Sequence, residues 1–316
     1  MIGSSTSTDR YLGILLVMEP STSDVQPRSS PVDPQVLQRC LAITRRTPAG
    51  LLTDIDGTIS QIAAVPGDAR VDPLARAALE RLNRSLALVG VVTGRAATVA
   101  QGMVDLPDLL YIGNHGLERQ HRGEVWTHPA AAAGSDSMAR ALREVAAEAQ
   151  QRGVADGVVI EDKHLSGSIH FRLAPDPDAA RSVILPLTME IAERYDLRVT
   201  SGLQVLELRP SVVVTKGTAI VDLVAHRRLH GVLFFGDDLT DVDGFKALQV
   251  LRASGAVDAL LVGVVSPETH ADVLSHTDVV VAGVPGCALL LNALADALAP
   301  PLTSHPDTGT PGEDIP

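Results

Sequence analysis

Aromatic side chains are scarce in this 316-residue chain: Phe, Trp and Tyr together make up 3% of it, so a core must be assembled from Leu, Val, Ile and Ala. Positive charge is also in the minority, with 26 Lys and Arg against 38 Asp and Glu and a formal net charge of −12. Nucleic acid and anionic membrane would both repel such a surface, and neither is expected as a partner. Cysteine is limited to Cys40 and Cys287, far apart and in no metal-ligand spacing, which fits a reducing compartment without a structural disulfide. Long apolar runs are missing too. The one stretch resembling a targeting signal, Tyr11 to Met18 (YLGILLVM), follows no basic segment and is far short of the roughly 20 residues a spanning helix needs. A cytoplasmic protein is expected, with Met18 as an alternative start to Met1 that N-terminal sequencing would settle.

What the chain does have is 45% hydrophobic content, enough for a substantial core. Residues 1–34 and 300–316 are rich in Ser, Thr, Pro and Asp without periodicity and read as disordered tails. Between them a helix is expected from Pro34 to Ile43. A second runs from Asp72 to Asn83, with Asp72 as N-cap, Pro73 at the first position and Leu74, Ala78, Leu79 and Leu82 at helical spacing. The continuous apolar run in SLALVGVVTGR suits a parallel strand covered on both faces. A helix from Ala96 to Gly102 and the strand of LLYIGNHG follow.

The rhythm then changes. Residues 115–205 offer a polar hairpin (LERQHRGEVWTH), helices at Ser137 to Arg152 and Asp178 to Tyr195, alternating stretches (GVVIEDK, SGSIHFRL) and the strand-like LRVTSGLQVLELRP. After Pro210, helices at Lys216 to Leu229 and Asp241 to Ser254 again alternate with apolar strands (GVLFFGDD, ALLVGVV, DVVVAG). The fold class predicted is α/β, a doubly wound parallel, Rossmann-like sheet core over residues 35–114 and 206–299 with an α+β cap domain inserted at 115–205.

Side chains two apart on a strand share a side, so Asp54 and Asp56 of LLTDIDGTIS (residues 51–60) can enter one pocket where a buried strand ends, Gly57 turning the chain there. Two neighbouring carboxylates repel and call for a bound cation or a shared proton. An Asp-rich turn is also a common way out of a strand, so the segment needs company. Ligands of open α/β sheets gather beyond the carboxyl ends of the strands. Three more motifs fall there: Thr93-Gly94-Arg95, Lys216-Gly217 opening a helix, and Gly236-Asp237-Asp238-Leu239-Thr240-Asp241.

These four segments, in this order, resemble the haloacid dehalogenase superfamily of phosphatases, the resemblance covering roughly residues 45–295. It implies Asp54 as a nucleophile that forms an aspartyl-phosphate and Asp56 as general acid and then base. Thr93 and Lys216 would hold phosphoryl oxygens, and Thr58, Gly94 and Arg95 would complete the phosphate side. It also implies Mg²⁺, held by Asp54, Asp237 and the Asp56 carbonyl, with Asp241 in support. The chemistry needs such residues, because a carboxylate attacking a phosphate dianion requires positive charge to neutralise both. Plainer roles stand beside these: Thr93 as a helix cap, Lys216 as a surface residue, Arg95 as partner of an acid, and Asp238 and Asp243 as turn acids.

The insert narrows the substrate. GNHGLE (113–118), EDKHLSGSIHFR (161–172) and LELRP (206–210), with GDDLTD, resemble trehalose-6-phosphate phosphatases, although Val242 stands where that family's GDDxTDE motif has Glu. The resemblance implies hydrolysis of trehalose 6-phosphate, with Glu118, Lys163 and Glu207 on sugar hydroxyls and His115 near the cleft. Arg172 is a further sugar contact on the same resemblance, and the plainer reading has Glu161, Lys163 and Arg172 as cross-strand charge pairs on the exposed face of the insert. Functional pairing with a trehalose-6-phosphate synthase is an associated expectation on which the residues are silent. Rival readings are a phosphatase of sucrose phosphate or of a mannosyl phosphoester, and a noncatalytic sugar-phosphate-binding regulatory domain. His226 and His230 read as a solvated helix face, and Trp126 as packing within the insert.

Overall fold

The computed structural model describes residues 32–202, 204–267 and 269–299. The tails expected at 1–34 and 300–316, residues 32–34 apart, and the start at Met1 or Met18 lie outside these. Asp33 caps α1 (Pro34–Thr44) by accepting the Gln35 N–H at 2.8 Å, and β1 (Ala49–Thr53) follows. Asp72 caps α2 (Pro73–Ser85) through the Leu74 and Ala75 N–H groups, with Pro73 at the first position as expected. The alternation continues through β2 (Leu88–Val92), α3 (Ala97–Val104) and β3 (Leu110–Gly113). A hairpin, β4 (Glu118–His121) and β5 (Glu124–Thr127), leads to α4 (Pro129–Ala133), α5 (Ser135–Gln151), β6 (Val159–Asp162), β7 (Gly167–His170), α6 (Pro177–Arg194), β8 (Leu197–Gly202) and β9 (Val205–Pro210). The last stretch holds α7 (Lys216–Arg227), β10 (Gly231–Gly236), α8 (Leu239–Ala253), β11 (Asp258–Val265), α9 (Ala271–His276), β12 (Val279–Ala282) and α10 (Gly283–Leu298). Among the described residues, no helix is long and apolar enough to cross a membrane.

Eight strands form one sheet in the order β12-β11-β10-β1-β2-β3-β4-β5, parallel from β12 to β3 and antiparallel beyond. Its central strands are buried on both faces, which is why they read as unbroken apolar runs. Leu51, Leu233 and Phe235 pack toward α1, α2, α3 and α10, whereas their neighbours Leu52, Val232 and Phe234 pack toward α7 and α8. A second, antiparallel sheet, β6-β7-β9-β8, buries Ile169, Leu206 and Leu208 against Met138 and Val145 of α5 and Ile184 and Ile191 of α6. Between the two sheets lies a small apolar cluster of Leu117, Ala131 and Leu165, with Val212 and Val214 packed on it.

Strand membership departs from the expected edges of the insert. The polar hairpin expected inside it extends the large sheet instead, because the Arg122-Gly123 turn, positive in φ at both residues, folds β5 back on β4, which pairs with β3. At the other edge, LRVTSGLQVLELRP is two strands, β8 and β9, and β9 lies between β7 and β8 in the small sheet. Leu74, in the capped first turn of α2, is 39% exposed, while Ala78, Leu79 and Leu82 are buried. Helix α10 was not among the expected elements: CALLLNALADAL is apolar nearly all round because it is buried deeply, and so carries little amphipathic signal.

Phe234 is fully buried with its ring centroid 5.1 Å from that of Phe245. Phe234→Ala is expected to lower the unfolding free energy by about 3–5 kcal/mol, read as a shifted urea midpoint with native far-UV dichroism retained.

Candidate active site

β1 ends against β10, and the first residue past it, Asp54, donates its N–H to the Phe235 carbonyl at 3.0 Å. The chain then turns back on itself, Gly57 N–H to the Ser60 carbonyl at 2.7 Å. Gly57 has φ +82, and a Cβ there would fall 1.9 Å from Asp237 Oδ2, so both conformation and space require glycine. Thr58, expected on the substrate, donates its hydroxyl to Asp237 Oδ1 at 2.7 Å. The DIDGT turn therefore grips the acidic loop after β10 directly.

Lys216, one of whose readings was a surface residue, is 1% exposed. It is the first residue of α7, whose N-terminus is closed by a reciprocal Thr215–Thr218 capping box. Its Nζ lies 2.9 Å from Asp54 Oδ2 and donates to Asp241 Oδ1 at 2.8 Å. Asp241 Oδ2 accepts the Asp237 and Asp238 N–H groups at 3.1 and 3.2 Å, so both its oxygens are engaged, as a supporting role requires. Asp238 caps α8, the turn role expected for it.

Asp54, Asp237 and Asp241 each place a carboxylate oxygen within 4.8 Å of the others. Among the described residues, Lys216 is the only cation bonded to them, leaving surplus negative charge in a buried site. The consequences are visible in proton affinities. Burial, with Asp241 and Asp54 nearby, pushes Asp237 well above the usual carboxylate range. Burial also lifts Asp241 to about 7, Lys216 opposing and Asp54 assisting. Burial would lower Lys216, but Asp241 and Asp54 outweigh it and hold its proton more tightly than usual. Asp54 Oδ1 is buried with no hydrogen-bond partner. A bare carboxylate oxygen beside excess negative charge, in an all-oxygen donor set, fits a hard divalent cation.

Asp56 turns away from this cluster. Its two oxygens accept a fork from Arg95, Nε to Oδ2 at 2.6 Å and Nη2 to Oδ1 at 2.7 Å, while Nη1 donates to the Pro66 carbonyl at 3.0 Å. Of the two readings open for Arg95, the structure has the acid pair. Thr93 does not cap α3: its hydroxyl accepts the Arg95 N–H at 3.3 Å. The cap comes from elsewhere, as the Ala97 N–H at the head of α3 donates to Glu118 Oε1 at 2.8 Å.

The second sheet delivers the remaining polar groups. Glu207 on β9 lies 2.8 Å from His115 Nε2 and 3.3 Å from Lys163 Nζ, which donates also to the Gly94 carbonyl at 3.2 Å. Burial would raise the Glu207 carboxyl, but His115 and Lys163 outweigh it and hold the group well below its usual range. Gly94, His115, Lys163 and Glu207 thus meet at one junction. Arg172 does not join them: it lies in the turn after β7 with no hydrogen bond or ion pair among the described residues, and the partner of Glu161 is His170 at 3.3 Å. Val242 faces the core beside α7, so the side chain at that position points away from the cleft. Trp126 is on the outer strand of the large sheet, under the Arg119 guanidinium at 5.1 Å, rather than packed in the insert. His226 and His230 share no partner, His230 Nδ1 lying 2.9 Å from the Thr47 carbonyl. Asn114, absent from the expected residues, binds Glu118 and the main chain of Lys163; its place in the left-handed-tolerant GNHG turn was the signal that could have found it.

Comparisons place this geometry in context. Residues 52–273 match the pattern that defines the trehalose-phosphatase family. The chain is 33% identical over 230 residues to a protein named trehalose-phosphate phosphatase from Mycobacterium tuberculosis (strain H37Rv), covering 71% of this chain and 57% of that protein. A second so named, from Mycobacterium avium (strain 104), is 34% identical over 205 residues, 62% of this chain and 50% of its own length. The chain thus spans little more than half the length of the curated relatives it matches. Its fold is shared with the C-terminal domain of trehalose-6-phosphate phosphatase from C. albicans, at a TM-score of 0.67 and 21% identity over 84% of this chain and 98% of that one.

The acid cluster predicts a linked dependence on pH and cation. A carboxyl raised to about 7 in the folded state contributes stability that is full below its unfolded pKa of 3.8 and is lost as pH rises through about 7. A divalent cation relieves the same repulsion. Millimolar Mg²⁺ is expected to raise the thermal midpoint of metal-free protein at pH 8 and to have little effect at pH 5, and Asp237→Asn should abolish the shift. A midpoint indifferent to cation at pH 8 would count against the site.

Proposed function

The chain belongs to the trehalose-phosphatase family, and on that premise we propose that it hydrolyses trehalose 6-phosphate to trehalose and phosphate. The observation that carries this reading is Lys216, buried between Asp54 and Asp241 with Asp54 Oδ1 left bare beside Asp237. Lys216 fixes one oxygen of Asp54 and leaves the carboxylate oriented as a nucleophile. Attack on phosphorus forms an aspartyl-phosphate on Asp54 and breaks the bond to the sugar oxygen, which takes a proton from Asp56. Asp56 then removes a proton from the water that hydrolyses the intermediate. Mg²⁺ held by Asp54, Asp237 and the Asp56 carbonyl would supply charge neutralisation on nucleophile and phosphate.

The Arg95 fork occupies both carboxylate oxygens of Asp56, so Asp56 must leave Arg95 to pass a proton, and arrival of the phosphate, a competing anion for the guanidinium, supplies the means. Thr93 and Gly94 border the phosphate at the same turn. The layer built on the second sheet acts as the cap and offers Lys163 and Glu207 to sugar hydroxyls, with His115 beneath them and Glu118 reaching the sugar through the oxygen not engaged at α3. Arg172 contributes only if the cap moves it inward. Pairing with a trehalose-6-phosphate synthase is part of the same proposal.

Phosphate release across a panel of sugar phosphates, with Mg²⁺, tests the proposal. Trehalose 6-phosphate is expected to be preferred, and Asp54→Asn to lower turnover by about 1000-fold or more. Preference for sucrose phosphate or a mannosyl phosphoester would replace the substrate and spare the mechanism. Undiminished turnover in Asp54→Asn would overturn the mechanism, and an inactive native protein would point to a sugar-phosphate-binding regulator.

A further inference from the structure

Asn114 is a fully buried amide where the two sheets meet. It follows β3 with φ +48, and His115 after it has φ +57. Asparagine is among the few residues that adopt this left-handed region without heavy strain. The backbone of this turn is fastened to the phosphate-side turn: Asn114 N–H donates to the Arg95 carbonyl at 2.8 Å, and His115 N–H to the Thr93 carbonyl at 2.9 Å.

The side chain works in the opposite direction. Its Nδ2 donates to Glu118 Oε1 at 2.7 Å and to the Lys163 carbonyl at 3.3 Å, while its Oδ1 accepts the buried Ser166 hydroxyl. Lys163 N–H donates to the Ser166 carbonyl at 3.0 Å, so two of the three residues that the Asn114 side chain touches are the two ends of one tight loop between β6 and β7. Glu118 also accepts from the head of α3. One amide therefore joins the Thr93–Arg95 turn, the start of α3 and the loop that carries the Lys163 ammonium.

Lysine has a long, freely rotating side chain, and its ammonium can be placed reproducibly only if its backbone is held. Across this boundary the apolar support is the small cluster around Leu117, Ala131 and Leu165. We propose that Asn114 is a positioning residue: by clamping the Lys163–Ser166 loop to the Thr93–Arg95 turn, it sets the distance between the sugar-binding and phosphate-binding halves of the site. The substrate part of this proposal rests on the function proposed above. The clamp itself does not.

Two variants separate the clamp from general stability. Asn114→Gly keeps the positive φ at no steric cost and deletes the amide, and Ser166→Ala removes one cap-side partner and leaves the core turn intact. In the full-length, substrate-free protein, hydrogen exchange of residues 162–167 is expected to quicken about tenfold in each variant, with α5 unchanged. The kcat/KM for trehalose 6-phosphate should fall about tenfold, chiefly through KM, while para-nitrophenyl phosphate, which has no sugar, stays within about twofold. The double variant should be no worse than Asn114→Gly, since both changes break one linkage. Unchanged exchange in the 162–167 loop overturns the proposal whatever the activities show, and so does an equal loss on both esters. If the wild type prefers another sugar phosphate, the substrate reading fails, and the split between that ester and para-nitrophenyl phosphate decides the clamp. If it hydrolyses no sugar phosphate, the exchange result decides alone.

Discussion

Everything in the site depends on a lysine buried among more negative charges than it can balance. Lys216 is held between Asp54 and Asp241 with almost no solvent, and Asp237 stands beside them. Burying ions costs several kcal/mol each unless partners are well placed, so the geometry must be imposed by the fold and not by the charges themselves. The imposition is visible in the backbone. Asp54 is pinned to β10, Asp241 accepts two main-chain N–H groups at the head of α8, and Lys216 is the first residue of a capped helix. The charge still missing is a requirement the chain leaves to something outside it.

That requirement explains the topology's value. Parallel strands β10, β1 and β2 all end at one edge, so the turns after them meet although they are distant in sequence. Close approach is bought with glycine: Gly57 lies against Asp237, and Gly236 has no space for a Cβ beside Asp241. A sheet buried on both faces is rigid enough to keep carboxylates of like charge close together, and rigidity of this kind is what a preorganised site demands.

The core of the site was legible because its signals are local. An apolar run, an Asp-x-Asp-Gly turn and a Lys opening a helix are each read from adjacent residues, and strand ends in a parallel sheet must converge. What escaped was set by tertiary contacts. Nothing near Thr58 indicates that its hydroxyl turns to Asp237, 179 positions away. Nothing near Glu118 shows that one of its oxygens serves α3, whose head needs a cap that Ala96 cannot supply. The hairpin after residue 117 looks like the start of an insert, because polar alternation says nothing about which sheet edge will receive it, and its partner β3 decided. Val242 departed from the family pattern in sequence, but only its burial beside α7 shows that the side chain faces away from the cleft.

The boundary between the two sheets carries one further constraint. Charged side chains gather there, and a buried charge left unpaired is costly. Here most of the charged groups are paired with one another. Glu207 is flanked by His115 and Lys163, Lys163 also reaches the Gly94 carbonyl, and Asp56 is held by Arg95. Each contact joins residues from different elements, so a ligand's hydroxyls and phosphate can replace partners without stranding a charge. Exchange of this kind makes net affinity small for each contact but makes selection sharp, because a ligand lacking a hydroxyl at one position would break a protein pair and offer nothing in return. On the proposed function, the same pairs that hold these charges in place are the part best suited to discriminate among sugars.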